Sequence, residues 1–362
     1  MDASILRAET EPLTPRFAIP EAALRRFWLR LARDASNGEV LEASLAYGVA
    51  SDTLARLVQH WLCGFQIDQQ LLDELPTLTS ELNGAAWTFV HARSREALAV
   101  PLLLLHGYSG AASEMAGIVA PLSDPRGHGA AASDAFHVVC PSLPSYDLAE
   151  KALGLPELAE GCARLMQRLG YTRYVVHGSD SGANLALALA ELDGGHVAGL
   201  HVTALPAYPN ETPEELGSLT RSEKSQLALL TQHRDELAYA LPQSPIEELA
   251  FALARLEDPE QTLTNAALCD SLLAGLTRIW ALGGAQARTE LYRRTRLAPA
   301  GVSERPVAVS SFPLDAPSLR RFAELRHRVV QWTEHAHGGP MPALEQPELL
   351  LTVLRDFYRR FR

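Results

Sequence analysis

The sequence predicts an α/β fold: a parallel sheet with helices on its faces, entered through a helical segment and interrupted by a helical block before its last strands. Three observations carry this. Apolar strand-like runs alternate with amphipathic helical stretches along the middle of the chain, an order that implies parallel pairing. An apolar strand stops on Gly178-Ser179-Asp180-Ser181-Gly182 and a helical pattern starts at once. Residues 212–296 lose the alternation and read as almost wholly helical, after which strand and helix patterns return.

Taken in order, residues 20–75 read as amphipathic helices, with Leu24, Phe27, Trp28 and Leu31 on one face and Leu54, Leu57, Val58 and Trp61 on another. Residues 78–91 read as two strands about Asn83-Gly84, a hairpin signal because both residues tolerate positive φ. Strands are expected at Leu102 and over 136–140, a helix over 158–169, then the strand and helix about Asp180. A Pro-rich entry at Pro206, Pro209 and Pro213 opens the helical block. Strands over 306–312 and 329–332 and a closing helix over 347–361 complete the chain. The expected division is an N-terminal helical meander over 1–98 packing on core and cap, a first core part over 99–205, a helical cap over 206–298, and a second core part over 299–362. The chain shows no internal repeat and no low-complexity segment.

Composition narrows the class. With 362 residues, 47% hydrophobic and 21% charged, the chain can bury a large core. A net charge of -11 argues against a nucleic-acid partner, and the arginines at 293, 294, 296, 359, 360 and 362 read as solvated helix faces. The positive charge is almost all arginine, Lys151 and Lys224 being the lysines. Cys63, Cys140, Cys162 and Cys269 are widely spaced with no Cys-x-x-Cys, which suits a reducing, cytoplasmic compartment and offers no metal-ligand pattern. No run approaches the ~20 apolar residues of a membrane span, and the N-terminus lacks the apolar stretch of a signal peptide. With no phosphate-binding glycine loop either, no cofactor is expected.

The chemistry centres on Asp180. Small residues flanking a sharp turn between strand and helix expose the central side chain above the sheet, beside backbone N–H groups. A carboxylate there implies alkyl rather than acyl chemistry; the plainer alternative is that Asp180 only caps the following helix. Upstream, a buried strand ends in His106-Gly107, so that the N–H groups of Tyr108 and Ser181 are the candidate oxyanion donors.

Together with Tyr47-Gly48-Val49, Trp61, the run 134–144 and the run 345–350, these motifs make the chain resemble the microsomal-type epoxide hydrolases, including the juvenile-hormone epoxide hydrolases, over nearly its whole length. The resemblance implies an α/β-hydrolase core with a helical cap. It also implies a reaction in which the elbow Asp attacks an epoxide carbon, cap tyrosines protonate the ring oxygen, and a His paired with an acid activates water to clear the ester. Asp180 is then the nucleophile and Tyr292, in the cap, a proton donor whose phenol, of pKa about 10, suits an alkoxide. Asp315, after a strand, is the acidic partner of the missing His, and Phe251 takes the place of the second cap tyrosine, lining the substrate site with Tyr108. On residues alone, Tyr292 reads equally well as a helix-face aromatic and Asp315 as a turn residue beside proline.

Departures matter as much. Where the family has its base histidine, in a Gly-Gly-His loop, this chain has Pro340 after Gly338 and Gly339; proline cannot accept a proton, so the hydrolytic half-reaction should lose a factor of ~10²–10⁴. Ser181 and Ser109 replace bulkier residues common among relatives, and the cap looks shortened between His233 and Pro245, which suggests a large, natural-product-like substrate. His335 and His337 precede the lost base and are candidates to replace it; His106 and His177 are expected to bond backbone, and His128 to sit in a turn. The expectation is an epoxide-opening enzyme with a non-standard second half. Its alternatives are a cyclase or isomerase of a biosynthetic intermediate on the same pocket, or a binding protein without activity. Partners are expected to be small molecules, not nucleic acid or membrane; a homodimer is a family habit that no residue pattern here tests.

Overall fold

The computed structural model describes residues 14–15, 19–65, 75–82, 85–107, 112–143, 153–205, 207–209, 212–228, 242–283, 285, 302–315 and 318–362. Among them a sheet of nine strands runs in the order β1-β2-β3-β5-β4-β6-β7-β8-β9, where β1 is Thr14–Pro15, β2 Thr77–Leu82, β3 Ala85–Ala92, β4 Val100–Leu105, β5 Phe136–Ser142, β6 Tyr174–Gly178, β7 Val197–Val202, β8 Val307–Ser311 and β9 Val329–Glu334. The strands from β5 to β9 pair in parallel, as the alternation with helices requires, and β3 joins β5 antiparallel. Strands β2 and β3 form the expected hairpin, with Leu82 opposite Ala85; Asn83 and Gly84 themselves lie outside the described residues.

Among the described residues, twelve helices frame this sheet: α1 Glu21–Ser36, α2 Glu39–Tyr47, α3 Ser51–Cys63, α4 Ala116–Ser123, α5 Leu155–Arg168, α6 Ser181–Leu192, α7 Pro213–Gly217, α8 Pro245–Leu253, α9 Ala266–Ala281, α10 Arg320–Arg326, α11 Pro342–Glu345 and α12 Pro347–Tyr358, with residues 221–228 also helical. The central strands are buried on both faces and therefore largely apolar, with His177, His201 and Ser310 as buried polar exceptions. Leu103, Leu105, Val176 and Val202 face Leu158, Leu165, Ala183 and Leu187 of α5 and α6. Leu102, Leu104 and Val175 face Ile118, Leu122, Leu354 and Phe357 of α4 and α12.

A separate core joins the N-terminal helices to the later helical block: Phe27, Leu31, Leu57 and Trp61 pack with Leu249, Leu253, Leu272 and Leu276. The Trp61 indole N–H donates to Thr277 Oγ1 at 2.8 Å, so a large buried aromatic keeps its polar atom satisfied. Within that block the helical reading needs refinement, because residues 254–265 are turns and a 3₁₀ segment, Pro259–Leu263. Pro259 removes a backbone donor. The side chains of Asp258 and Asn265 cap the 3₁₀ segment and α9, accepting from the N–H groups of Glu260 and Leu268. No described helix is long and apolar enough to cross a membrane.

Candidate active site

The junction of β6 and α6 is built to hold one carboxylate. Asp180 is the non-glycine residue with positive φ among the described residues, at φ 49° and ψ -121°, a conformation costing ~1–3 kcal/mol that its surroundings must enforce. They do so through glycines. A Cβ on Gly178 would lie 2.3 Å from the Gly182 carbonyl oxygen, and one on Gly182 would lie 2.3 Å from the Leu105 oxygen. Ser179 N–H donates to the Leu105 oxygen at 3.1 Å and Gly182 N–H to the Ser179 oxygen at 2.8 Å, tying the turn to the end of β4. Gly107 lies directly against the acid: a Cβ there would be 2.7 Å from Asp180 Cβ and 3.0 Å from its Oδ2. The His106-Gly107 loop thus meets Asp180, with Ser181 next in line at the start of α6. Although Asp180 precedes α6, its side chain makes no capping bond to that helix, so the plain capping role does not describe it.

Asp315 is brought to the same place by a residue that sequence reasoning missed. Thr203, just past β7, accepts from the Asp180 N–H at 3.3 Å and donates its hydroxyl to Asp315 Oδ2 at 2.8 Å. All three are buried. A threonine after an apolar strand has no sequence signal; only the adjacency of β6, β7 and β8 gives it this bridging position.

Among the described residues a guanidinium reaches Asp180. Arg255, in the turn after α8, places Nη2 2.9 Å from Asp180 Oδ1, with side chains only 9% and 1% exposed. Its guanidinium also stands over the Phe251 ring, 5.3 Å from the centroid, and Phe251 in turn meets Tyr47 edge-on at 5.9 Å. Phe251, expected to line the substrate site, is buried beside the cation that holds Asp180. The loop carrying Pro340 packs on the same turn, since a Cβ on Gly339 would lie 2.6 Å from the Arg255 carbonyl oxygen and 2.8 Å from Glu345 Oε1. Arginine keeps its proton at any physiological pH, so it can orient and neutralise a carboxylate but cannot activate water as imidazole does.

Two further acids, Glu114 buried and Glu345 half-buried, add to the electrostatics. Glu114, in the 3₁₀ turn Ala112–Met115, accepts from Ser179 Oγ at 3.1 Å. Burial, reinforced by the charge of Asp180, pushes its carboxyl up to about 8 against the opposing pull of that hydrogen bond, so Glu114 is largely protonated at neutral pH. Glu345 accepts from the Glu257 N–H at 2.9 Å, and burial raises it to about 7. Neither was singled out from sequence as a site residue, because a lone Glu in a loop gives no sign of its burial.

The candidate substitute bases have other contacts. His337 is exposed and donates from Nδ1 to Glu257 Oε1 at 2.6 Å. His335 stacks on Phe312, with centroids 4.6 Å apart, and its Nε2 is buried without a hydrogen-bond partner among the described residues; burial lowers its basicity. His106 bonds the Gly107 backbone oxygen at 2.9 Å, as expected. His177 shares a 2.9 Å side-chain hydrogen bond with His201, whose backbone it also meets, and His201 continues to Ser310 at 3.0 Å. The reason is the pleat: in adjacent parallel strands the two imidazoles project to the same face. His128 bonds the Asp124 oxygen within a turn. Tyr108 and Tyr292, the expected oxyanion donor and proton donor, lie outside the described residues, as does Ser109.

Comparison with known proteins gives the family and the fold. Residues 13–115 match the family model described as the epoxide hydrolase N terminus, and residues 100–258 match the alpha/beta hydrolase fold. The chain is 30% identical to a candidate epoxide hydrolase of Stigmatella aurantiaca over 97% of this chain and 86% of that one. Among solved structures it resembles the Aspergillus niger epoxide hydrolase, with TM-score 0.75 and 24% identity over 98% of both chains. It also resembles the juvenile hormone epoxide hydrolase of Bombyx mori, with TM-score 0.74 and 20% identity over 99% of this chain and 97% of that one.

Proposed function

The chain belongs to the epoxide hydrolase family of α/β-hydrolases, and from that premise we propose that it opens the epoxide of a bulky, natural-product-like small molecule through a covalent ester on Asp180 that it clears slowly. The observation that carries the reading is the Asp180 elbow itself: a buried carboxylate held at positive φ, with the Gly107 backbone against one oxygen. A carboxylate oxygen attacks an epoxide carbon, the ring C–O bond breaks, and the ring oxygen takes a proton from the Tyr292 phenol, leaving a hydroxyalkyl ester. Water then adds to the ester carbonyl, the N–H groups of Tyr108 and Ser181 hold the oxyanion, and collapse breaks the ester bond to the alkyl oxygen; one proton of the water goes to the leaving alkoxide and the other restores the Tyr292 phenol, giving the diol and the Asp180 carboxylate. Asp315 and Thr203 brace the nucleophile from below. For attack by Oδ1 the substrate must displace the Arg255 guanidinium, which makes Arg255 a gate on the first step.

The second step is where this chain differs. Pro340 stands at the family's base position and Arg255 supplies charge without proton affinity, so ester clearance lacks the usual water-activating group. The same two observations favour a second reading: a cyclisation or rearrangement in which Asp180 steers charge and no external water enters.

Incubating the protein with a small panel of epoxides and weighing it intact separates the two. Covalent opening yields a substrate-sized adduct that builds up within one turnover and is missing in Asp180→Asn. In heavy-oxygen water, slow hydrolysis places label in Asp180 or the diol. Turnover to an isomer with no adduct and no label sinks the first reading.

A further inference from the structure

We propose that His60, Cys269 and Asp270 form a binding site for a borderline-soft divalent cation of the zinc class, in a cleft between the N-terminal helices and the cap. Their ligand atoms all lie within 4.8 Å of one another. The same three side chains line a cleft of about 580 Å³ between α3 and α9, whose other walls include Leu57, Phe65 and Thr264. The grouping is independent of the elbow chemistry and arises from segments more than 200 positions apart in sequence.

The donor set decides the class of metal. One imidazole nitrogen, one thiolate and one carboxylate oxygen are the ligand types that zinc combines in tetrahedral sites, whereas calcium and magnesium take oxygen alone. An ideal tetrahedron with these bond lengths has edges of about 3.6 Å, so small rotamer adjustments of about an ångström close the observed spacing. Three protein ligands leave a fourth position open towards the cleft, for water or a small anion.

The frame is rigid where it needs to be. Cys269 and Asp270 sit side by side in the first turns of α9, which Asn265 caps, and His60 lies in the last turn of α3. The two helices are joined by the Trp61 to Thr277 hydrogen bond, about two turns further along α9, and contribute Leu57, Leu272 and Leu273 to one apolar cluster. Gly64 makes room for the imidazole, since a Cβ there would lie 2.8 Å from His60 Nδ1, and Phe65 meets the ring edge-on at 6.4 Å. Arg56 also lines the cleft, but its guanidinium is 4.0 Å from Asp52, and the thiolate and carboxylate together match a charge of +2. Binding requires the thiol proton to leave for solvent, which the cation drives by stabilising the thiolate. The bound ion would fasten α3 of the N-terminal helices to α9 of the cap.

Cobalt(II) added to the reduced full-length chain tests this directly. The expected result is one equivalent bound, with a near-ultraviolet thiolate-to-cobalt charge-transfer band that zinc abolishes by displacement. Cys63→Ser should retain the band, Cys269→Ser should lose it, and His60→Gln or Asp270→Asn should weaken zinc at least ~10-fold. Zinc should raise the melting temperature of the unaltered chain and of Cys63→Ser, and not that of Cys269→Ser. A chain that shows no thiolate band, or a band that survives Cys269→Ser, overturns the site. Because His60 is exposed, His60→Gln keeps the fold and decides the matter should Cys269→Ser fold poorly.

Discussion

Replacing Arg255 with Leu should cost this fold about 3–5 kcal/mol, and the cause is specific to Asp180. The two charges meet at 2.9 Å with side chains 9% and 1% exposed, so water screens them little. With about 4 Å between charge centres and an effective dielectric near 20, their attraction is about 4 kcal/mol. Removing one partner deprives the other buried charge of this contact, a loss in the range known for broken buried pairs. Asp180→Asn should be destabilising for the mirror-image reason, and the double variant should be less destabilised than the sum of the two, by roughly 2–3 kcal/mol. Urea unfolding of the four proteins at pH 7, arranged as a double-mutant cycle, reads the coupling. Additivity within about 0.5 kcal/mol would refute the claim that Arg255 is the resting counter-ion of the nucleophile. The same variant reports on the gate: Arg255→Leu that folds should form the epoxide adduct faster per folded molecule, because Oδ1 no longer has to exchange a guanidinium for substrate.

The same geometry sets three more outcomes. Glu114 ionises near 8 in the fold and near 4.5 when unfolded, so folding takes up a proton between these values; its contribution is full below pH 4.5 and lost as pH rises to 8, at ~1.4 kcal/mol per unit. Chemical unfolding should therefore show stability falling between pH 7 and 8, and Glu114→Gln should remove most of that slope; an unchanged slope means Glu114 is ionised at neutral pH. Thr203→Val keeps the shape but strips a donor from buried Asp315, and should cost ~1–3 kcal/mol and slow adduct formation, with Thr203→Ser restoring both. Pro340→His in an Arg255→Leu background should speed ester clearance by ~10² or more, measured as loss of adduct mass with time, while Pro340→His alone should do far less.

Much of this protein is legible from the chain alone. The alternation of strand and helix, the glycines around Asp180 and the Gly-Gly-Pro run ending at Pro340 are local features, each readable because short-range sterics or the identity of one side chain determines it. Turn glycines announce themselves because no other residue fits. Partnerships across the fold are not legible in this way. Thr203 bridges Asp180 and Asp315 only because β6, β7 and β8 are neighbours; Glu114 is a near-neutral acid only because it is buried. The cysteine spacing offers no metal pattern, yet His60, Cys269 and Asp270 converge between two helices that are distant in sequence.

The sequence by itself determined that proline follows Gly338 and Gly339 and where the elbow carboxylate stands. Tertiary structure alone decided its counter-ion. Arg255 follows an ordinary apolar helix and looks like any surface cation until the turn after α8 folds over the elbow and lowers its guanidinium onto Asp180. Charge pairing in a buried site depends on distance and desolvation, and neither quantity exists along a chain until it is packed.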